Sequence, residues 1–355
     1  MQTHLKPKSA KAYSAKLKSD GYTIGWKTLS AYELALRALT RDPAPALDFT
    51  SFARISAINS RQLPTVRQLP VDNGSLGYRC YEAASDVSVI MVHGSGGFGD
   101  QFHAMAQRIA EAGLARVYTV NMRGHGQSSG ERGHAVDHPR QLLDDLAVFA
   151  RYVRDQHPTG RIVLGGHSAG GGLVLGFSRD KAASLIDGYV LFAPFLGLGS
   201  PTVRPHFGGW VQVHKPKLRE TAMANLLGIQ KFNNRTVLDF NIEACLYDPR
   251  YVRSWSYNTM LAFGPGRWLP KAKPISSRCP VLLVAGERDE CFKPSTYPDA
   301  MKIVAPHGDV ALFDGAGHWD ILADQRVIER MLDWLRSEVK TNVISLQGFA
   351  NHEAA

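Results

Sequence analysis

Cysteine is scarce in this chain, and what there is lies badly for metal or disulfide chemistry. The 4 cysteines among 355 residues, Cys80, Cys245, Cys279 and Cys291, include no CxxC pair. That excludes a zinc-finger framework and a disulfide-stapled fold, and favours a reduced, cytoplasmic setting. No apolar run reaches about 18 residues, the length a membrane-spanning helix needs. The opening MQTHLKPKSAKAYSAKLKSDG carries lysines with no apolar stretch behind them, so neither a transmembrane helix nor a secretory signal is expected. Repeats and low-complexity tracts are missing too, which argues against solenoids and propellers. No GxxxxGK[ST] phosphate loop occurs, and no nucleic-acid-binding motif accompanies the positive charge.

What remains has the composition of a folded soluble domain, 44% hydrophobic and 21% charged, long enough for one large α/β domain with an insertion. The net charge of +9 is uneven. Residues 1–65 carry an excess of 6 positive charges and residues 195–275 an excess of 7, whereas residues 66–194 balance. Solubility alone is the plain reading of such a surface. The sharper one is attraction to an anionic membrane or a negatively charged substrate.

Patterning divides the chain into an appended segment (1–64), a core in two pieces (65–194 and 276–340), an insertion (195–275) and a C-terminal tail (341–355). In the appended segment Leu29, Tyr32, Leu36 and Leu39 fall on one face of a helix expected over 28–40. In the core, β-like runs at 66–71, 78–82 and 87–93 precede a strict alternation. Helices expected near 100–112 and 139–156 separate strands at 116–120, 161–166 and 188–194. The alternation stops at 195 and resumes with strands at 280–286 and 309–313 and a final helix over 320–340. Continuous apolar strands separated by helices argue a mostly parallel central sheet covered on both faces. The insertion, with Trp210, Trp255 and Trp268 and helical stretches such as LRETAMANLLGIQ, is expected to form a helical lid over the site.

The stretch GGHSAGGG places Ser168 among five glycines between an expected strand and an expected helix. It fits the GxSxG nucleophile elbow, where the serine sits on a strained turn and the glycines give the backbone room. A serine hydroxyl needs a base to take its proton and a third group to hold that base. In a sheet of this kind the order along the chain is serine, acid, histidine. Asp289, in GERDE, follows one expected strand, and His318, in DGAGHWD, follows the last. Glu287 and Glu290 flank the acid and are its rivals. His307 precedes the last strand rather than following it, and His167 adjoins the serine too closely to turn back on it. For the oxyanion, the loop HGSGGFG after residues 87–92 supplies the Ser95 N–H, with Gly96 as the alternative, and Ala169 N–H supplies the other donor. A dinucleotide-binding loop is the rival reading of that glycine-rich stretch.

With HGSGG at His93, NMRGHGQSSG at residues 121–130, GHSAG at Gly166, GERD at Gly286 and GAGH at Gly315, the sequence resembles the α/β-hydrolase superfamily. Within it, the likeness is to the monoacylglycerol lipase and lysophospholipase-like branch, also labelled serine aminopeptidase-like. The resemblance spans residues 65–340, with the insertion matched loosely. It implies an α/β-hydrolase fold and ester hydrolysis through an acyl-enzyme: Ser168 attacks, His318 carries the proton and Asp289 orients it. It implies no metal and no organic cofactor. This branch more often has aspartate where Asn121 stands, and Arg123 and His125 are expected to brace their loop. The lid residues Phe207, Trp210, Leu226, Leu227, Ile229, Trp255 and Trp268 suit an acyl chain or the lid's own core. The expected partner is a small-molecule or lipid ester, with the basic lid suited to an anionic lipid surface and no nucleic acid involved. A thioesterase or acyltransferase with the same triad is the alternative, and a non-catalytic binding protein on this fold the outlier.

Overall fold

Runs that are apolar from end to end can be satisfied only between two layers, and they form the centre of the sheet. The computed structural model describes residues 63–242, 248–266 and 273–340. Strands β3 (Val87–Val92), β5 (Arg161–His167), β6 (Gly188–Phe192) and β10 (Val281–Gly286) are buried along nearly their whole length. With β1 (Arg67–Val71), β2 (Gly74–Tyr81), β4 (Arg116–Val120) and β11 (Asp309–Phe313) they make an eight-stranded sheet in the order β1-β2-β4-β3-β5-β6-β10-β11. Within this sheet β2 alone runs against the others, pairing antiparallel with both β1 and β4; every pairing from β4 to β11 is parallel.

The connecting helices are amphipathic and cover the sheet. In α2 (Gln141–Gln156), Leu142, Leu146, Phe149 and Val153 are buried at helical spacing. It packs with α3 (Ala169–Phe177), whereas α1 (His103–Glu111) packs with α7 (Gln325–Trp334). Helix α6 (Tyr297–Val304) lies against β11. The expected alternation therefore stands. The helix expected over 28–40 lies outside the described residues, as do Cys245 and Trp268.

Among its described residues the insertion holds two α-helices, α4 (Lys215–Leu226) and α5 (Tyr257–Phe263). It also holds a three-stranded antiparallel sheet of β7 (Val211–Val213), β8 (Thr236–Phe240) and β9 (Ser254–Ser256), which the helical expectation did not include. Strands of three to five residues give too short an alternation to stand out from their surroundings.

Two buried ion pairs tie the loops above the sheet to its frame. Arg123, in the 121–135 loop, forks onto Asp145 of α2 at 2.8 and 3.0 Å and donates to the carbonyls of Asp72 and Asn73. Its bracing role is thus visible. Arg79 meets Asp100 at 2.6 Å, and Arg250 from the lid reaches the same carboxylate at 2.9 Å. Removing one partner of a buried, hydrogen-bonded pair leaves the other charge stranded. Arg123→Ala is expected to cost about 3–5 kcal/mol, read as a lowered urea midpoint with unchanged slope.

Candidate active site

The turn from β5 into α3 is crowded. A side chain on Gly170 would lie 2.3 Å from the carbonyl oxygen of His93 and 2.4 Å from that of Val92, and one on Gly166 would meet Gly170 O at 2.5 Å. Only glycine lets the helix come this close to the end of β3. Ser168 takes the strain, at φ 53° and ψ −118°, a region that non-glycine residues seldom occupy. Its N–H donates to Phe192 O and its carbonyl accepts from Gly172 and Phe195, so the conformation is fixed from both sides.

Ser168, Ser95 and Ala169 together line the floor of a cavity of about 850 Å³, counted with its mouth. Ala169 is the first residue of α3, so its N–H is among the helix donors that have no partner within the helix. Ser95 is steadied by Trp210, whose indole N–H donates to Ser95 Oγ at 2.9 Å. Gly96, the alternative donor, is turned to the lid: its carbonyl accepts from Val252 N–H at 2.8 Å. Gly94, Gly96 and Gly99 do fall at the spacing of a dinucleotide loop. Yet a side chain on Gly94 would meet His167 Nδ1 at 2.9 Å, one on Gly96 would meet Val252 O at 2.9 Å, and one on Gly99 would meet Thr119 O at 2.9 Å. Protein fills the space a pyrophosphate would need.

Asp289 and His318 are each 1% exposed and meet directly, His318 Nδ1–H donating to Asp289 Oδ2 at 2.8 Å. The other carboxylate oxygen accepts the N–H groups of Cys291 and Phe292 at 2.8 and 2.7 Å. Asp289 is thus the acid that touches the imidazole. Glu290 instead accepts the main-chain N–H of His318, Glu287 is exposed, and His307 bonds Cys279 O. Asp289, Cys291 and His318 bring donor atoms within 4.8 Å of one another. Both carboxylate oxygens and Nδ1 are already engaged, however, and burial holds the Cys291 thiol well above its ordinary range. The trio reads as a proton-transfer neighbourhood rather than a metal seat.

Four histidines gather here, and their partners set their tautomers. His93 Nε2 accepts from Met122 N–H, so Nδ1 carries the hydrogen and donates to Gly94 O. His125 Nε2 accepts from the Trp255 indole, so its Nδ1 donates to Arg123 O. His167 Nε2 donates to His318 O, leaving Nδ1 to accept from Gln101. Burial pushes His93 down to about 4 and His125 and His167 well below the ordinary 6.5. His318 differs. Burial works against its charge, but the Asp289 carboxylate and then Glu290 outweigh it and raise the imidazole above 6.5.

The cavity is apolar nearly throughout. Phe207, Trp210 and Trp255 line it as expected, with Val213, Leu218, Leu238, Leu261 and Phe292. Leu226, Leu227 and Ile229 do not: they sit where α4 ends and turns outward, and Leu227 is 72% exposed. The contacts of Gln101, His167, Glu290 and Trp210 had no sequence signal, since each joins segments far apart in the chain.

Residues 83–326 match the sequence family described as serine aminopeptidase, S33. A monoacylglycerol lipase of Mycolicibacterium smegmatis is 28% identical over 214 residues, 57% of this chain and 69% of the relative. A soluble variant of monoglyceride lipase from Saccharomyces cerevisiae has a similar fold, with a TM-score of 0.61 at 18% identity over 83% of this chain and 98% of that one. So does a thermophilic esterase from Thermogutta terrifontis, with a TM-score of 0.51 at 20% identity over 77% and 98%.

The histidines generate a pH prediction. Ring-carbon NMR between pH 5 and 9 is expected to show His318 titrating above 6.5 and His93 still neutral. His93, His125 and His167 protonate in the unfolded chain near 6.5 but not in the folded one, so their contribution is full above 6.5 and is lost as pH falls towards the folded values. Each takes about 1.4 kcal/mol of stability per pH unit once below that point. A flat urea midpoint from pH 7 to pH 5 would contradict the buried neutral trio.

Proposed function

The chain belongs to the serine aminopeptidase S33 family of α/β-hydrolases, and from that premise we propose that it hydrolyses carboxylic esters through an acyl-enzyme formed on Ser168. The observation that carries the reading is the strained Ser168 opening onto an apolar cavity beside Ser95 and Ala169. Ser168 Oγ attacks the ester carbonyl, and its proton passes to His318 Nε2, the ring nitrogen left over once Nδ1 is committed to Asp289. The carbonyl oxygen, negative in the tetrahedral intermediate, accepts from the N–H groups of Ala169 and Ser95, with Gly96 as the alternative second donor. As the C–O bond to the alcohol breaks, His318 returns the proton to the leaving oxygen. Water then gives its proton to His318 and attacks the acyl carbon, and Ser168 leaves as the free hydroxyl. Asp289 stays ionised, holding the tautomer and stabilising the imidazolium.

The alkyl part of the acid belongs in the cavity, whose apolar lining suits a lipid chain. Monoacylglycerol-like or lysophospholipid-like esters are therefore the substrate class. The lid adds a second feature. Met223, Leu227 and Ile229 are the exposed large hydrophobics among the described residues, and they cluster at one end of α4 beside the exposed Lys231. Apolar tips beside a positive charge, on a lid with an excess of basic residues, suit an anionic lipid surface.

The first test is a p-nitrophenyl ester series from acetate to palmitate. At about 0.8 kcal/mol per buried CH₂, kcat/KM is expected to rise up to about fourfold per added carbon until the cavity is filled. Ser168→Ala and Asp289→Asn should each lower kcat by about ten-thousandfold. Undiminished turnover in Ser168→Ala would end the serine reading, and preference for a thioester or for transfer to an added alcohol would move the assignment to thioesterase or acyltransferase. For the surface, vesicle flotation is expected to show binding to phosphatidylglycerol-containing membranes that falls in Leu227→Glu/Ile229→Glu. Equal flotation of wild type and variant would remove the lid from that role.

A further inference from the structure

Asp289 is not the only group that holds His318. The main chain of this histidine is clamped at both ends: its N–H donates to Glu290 Oε2 at 2.7 Å and its carbonyl accepts from His167 Nε2 at 3.1 Å. Glu290 is packed into place rather than waving in solvent. One carboxylate oxygen lies 3.0 Å from where a side chain on Gly317 would begin, and the Gly317 N–H is taken by Asp320 at 2.9 Å. From the other side Gly208 of the lid presses on the Glu290 carbonyl so closely that a side chain there would overlap it. Gly208 lies in a left-handed run in which His206, Phe207 and Gly209 also have positive φ, so the lid accepts backbone strain at this contact.

We propose that Glu290 is a positioning residue of the ester hydrolysis: it anchors the His318 main chain and sets a second negative charge behind the imidazole that Asp289 holds. The inference rests on the reading of Ser168 as nucleophile and His318 as base. The groups facing the imidazole are Asp289, Glu290 and Cys291 from the loop after β10, His167 from the end of β5, Asp320 behind Gly317, and Arg204 of the lid, which donates to the carbonyls of Asp289 and Phe292. Among these, Glu290 is the charged side chain that bonds the His318 main chain itself. A neutral imidazole is the form that accepts the serine proton, and an anion beside it favours the imidazolium. Glu290 therefore places the onset of activity at higher pH and makes His318 a stronger base above it.

Two substitutions separate anchoring from charge. Glu290→Gln keeps an oxygen for the His318 N–H and removes the charge, so the rising limb of kcat/KM should move to lower pH while kcat on the plateau stays within about threefold. Glu290→Ala removes both, so the limb should move the same way and plateau kcat should fall on the order of tenfold with KM little changed. The His318 ring titration, followed by NMR in wild type and Glu290→Gln, reads the same shift without turnover. A midpoint and limb that match wild type in both variants, or a loss of kcat only in proportion to folded protein by near-UV circular dichroism, would overturn the proposal. The two readings fail separately. If Ser168→Ala still hydrolyses esters, the nucleophile is wrong and the NMR midpoint still decides what Glu290 does to His318; if hydrolysis needs Ser168 but both Glu290 variants follow wild type, Glu290 alone is wrong.

Discussion

The backbone of α3 touches the end of β3, and most of the machinery above the sheet is arranged around that contact. Gly170 sits where any side chain would strike the carbonyls of Val92 and His93. Because the approach is so close, the β5–α3 turn and the loop after β3 share one small volume. The two candidate oxyanion donors come from those two segments, and the strained Ser168 lies where they meet. The other four glycines around Ser168 also have close neighbours: Gly165 against Met91, Gly166 against Gly170, Gly171 against Pro194 and Gly172 against Phe195. A folded chain tolerates a serine at positive φ because the surroundings leave it no alternative.

Charge is rationed in the same volume. His93, His125 and His167 are buried without a carboxylate on their rings, and each spends both ring nitrogens on neutral partners. Neutral imidazoles cost little in an apolar interior, and they serve as rigid struts between loops. His318 is equally buried but has Asp289 on its ring. A proton can be taken up there and not at its neighbours. His167 shows the economy of the arrangement, since the residue beside the serine supports the base from behind through His318 O.

Much of this could be read before any coordinates. The strands at 116–120 and 309–313 begin and end where they are expected, each a short run dominated by apolar and β-branched residues. Asp289 was separable from Glu290 only by motif position, and in the fold the two differ in what they touch: one bonds the ring, the other the main chain. The three short lid strands were illegible, since β7 and β9 have three residues each and take their stability from pairing partners up to 29 positions away. Likewise nothing local to HGSGGFG tells that Trp210 will hold Ser95, or that the dinucleotide-like glycine spacing will be filled by Val252, Thr119 and His167.

The lid is fastened to the loop after β3 and its neighbours by polar bonds. Val252 N–H donates to Gly96 O, the Trp210 indole to Ser95 Oγ and the Trp255 indole to His125, while Arg250 shares Asp100 with Arg79 and lies 4.7 Å over the Phe98 ring. The apolar residues that line the cavity come from the same segments. An apolar wall held only by hydrophobic contact could slide, because such contacts have no preferred register. Hydrogen bonds of fixed direction cannot slide without breaking. A displacement of residues 250–256 large enough to reshape the cavity would therefore also release the carbonyl of Gly96 and the ring of His125. Cavity shape and the geometry of the loop after β3 are in this way one mechanical unit, and on the proposed mechanism a chain seated in the cavity would act on the same loop that offers an oxyanion donor.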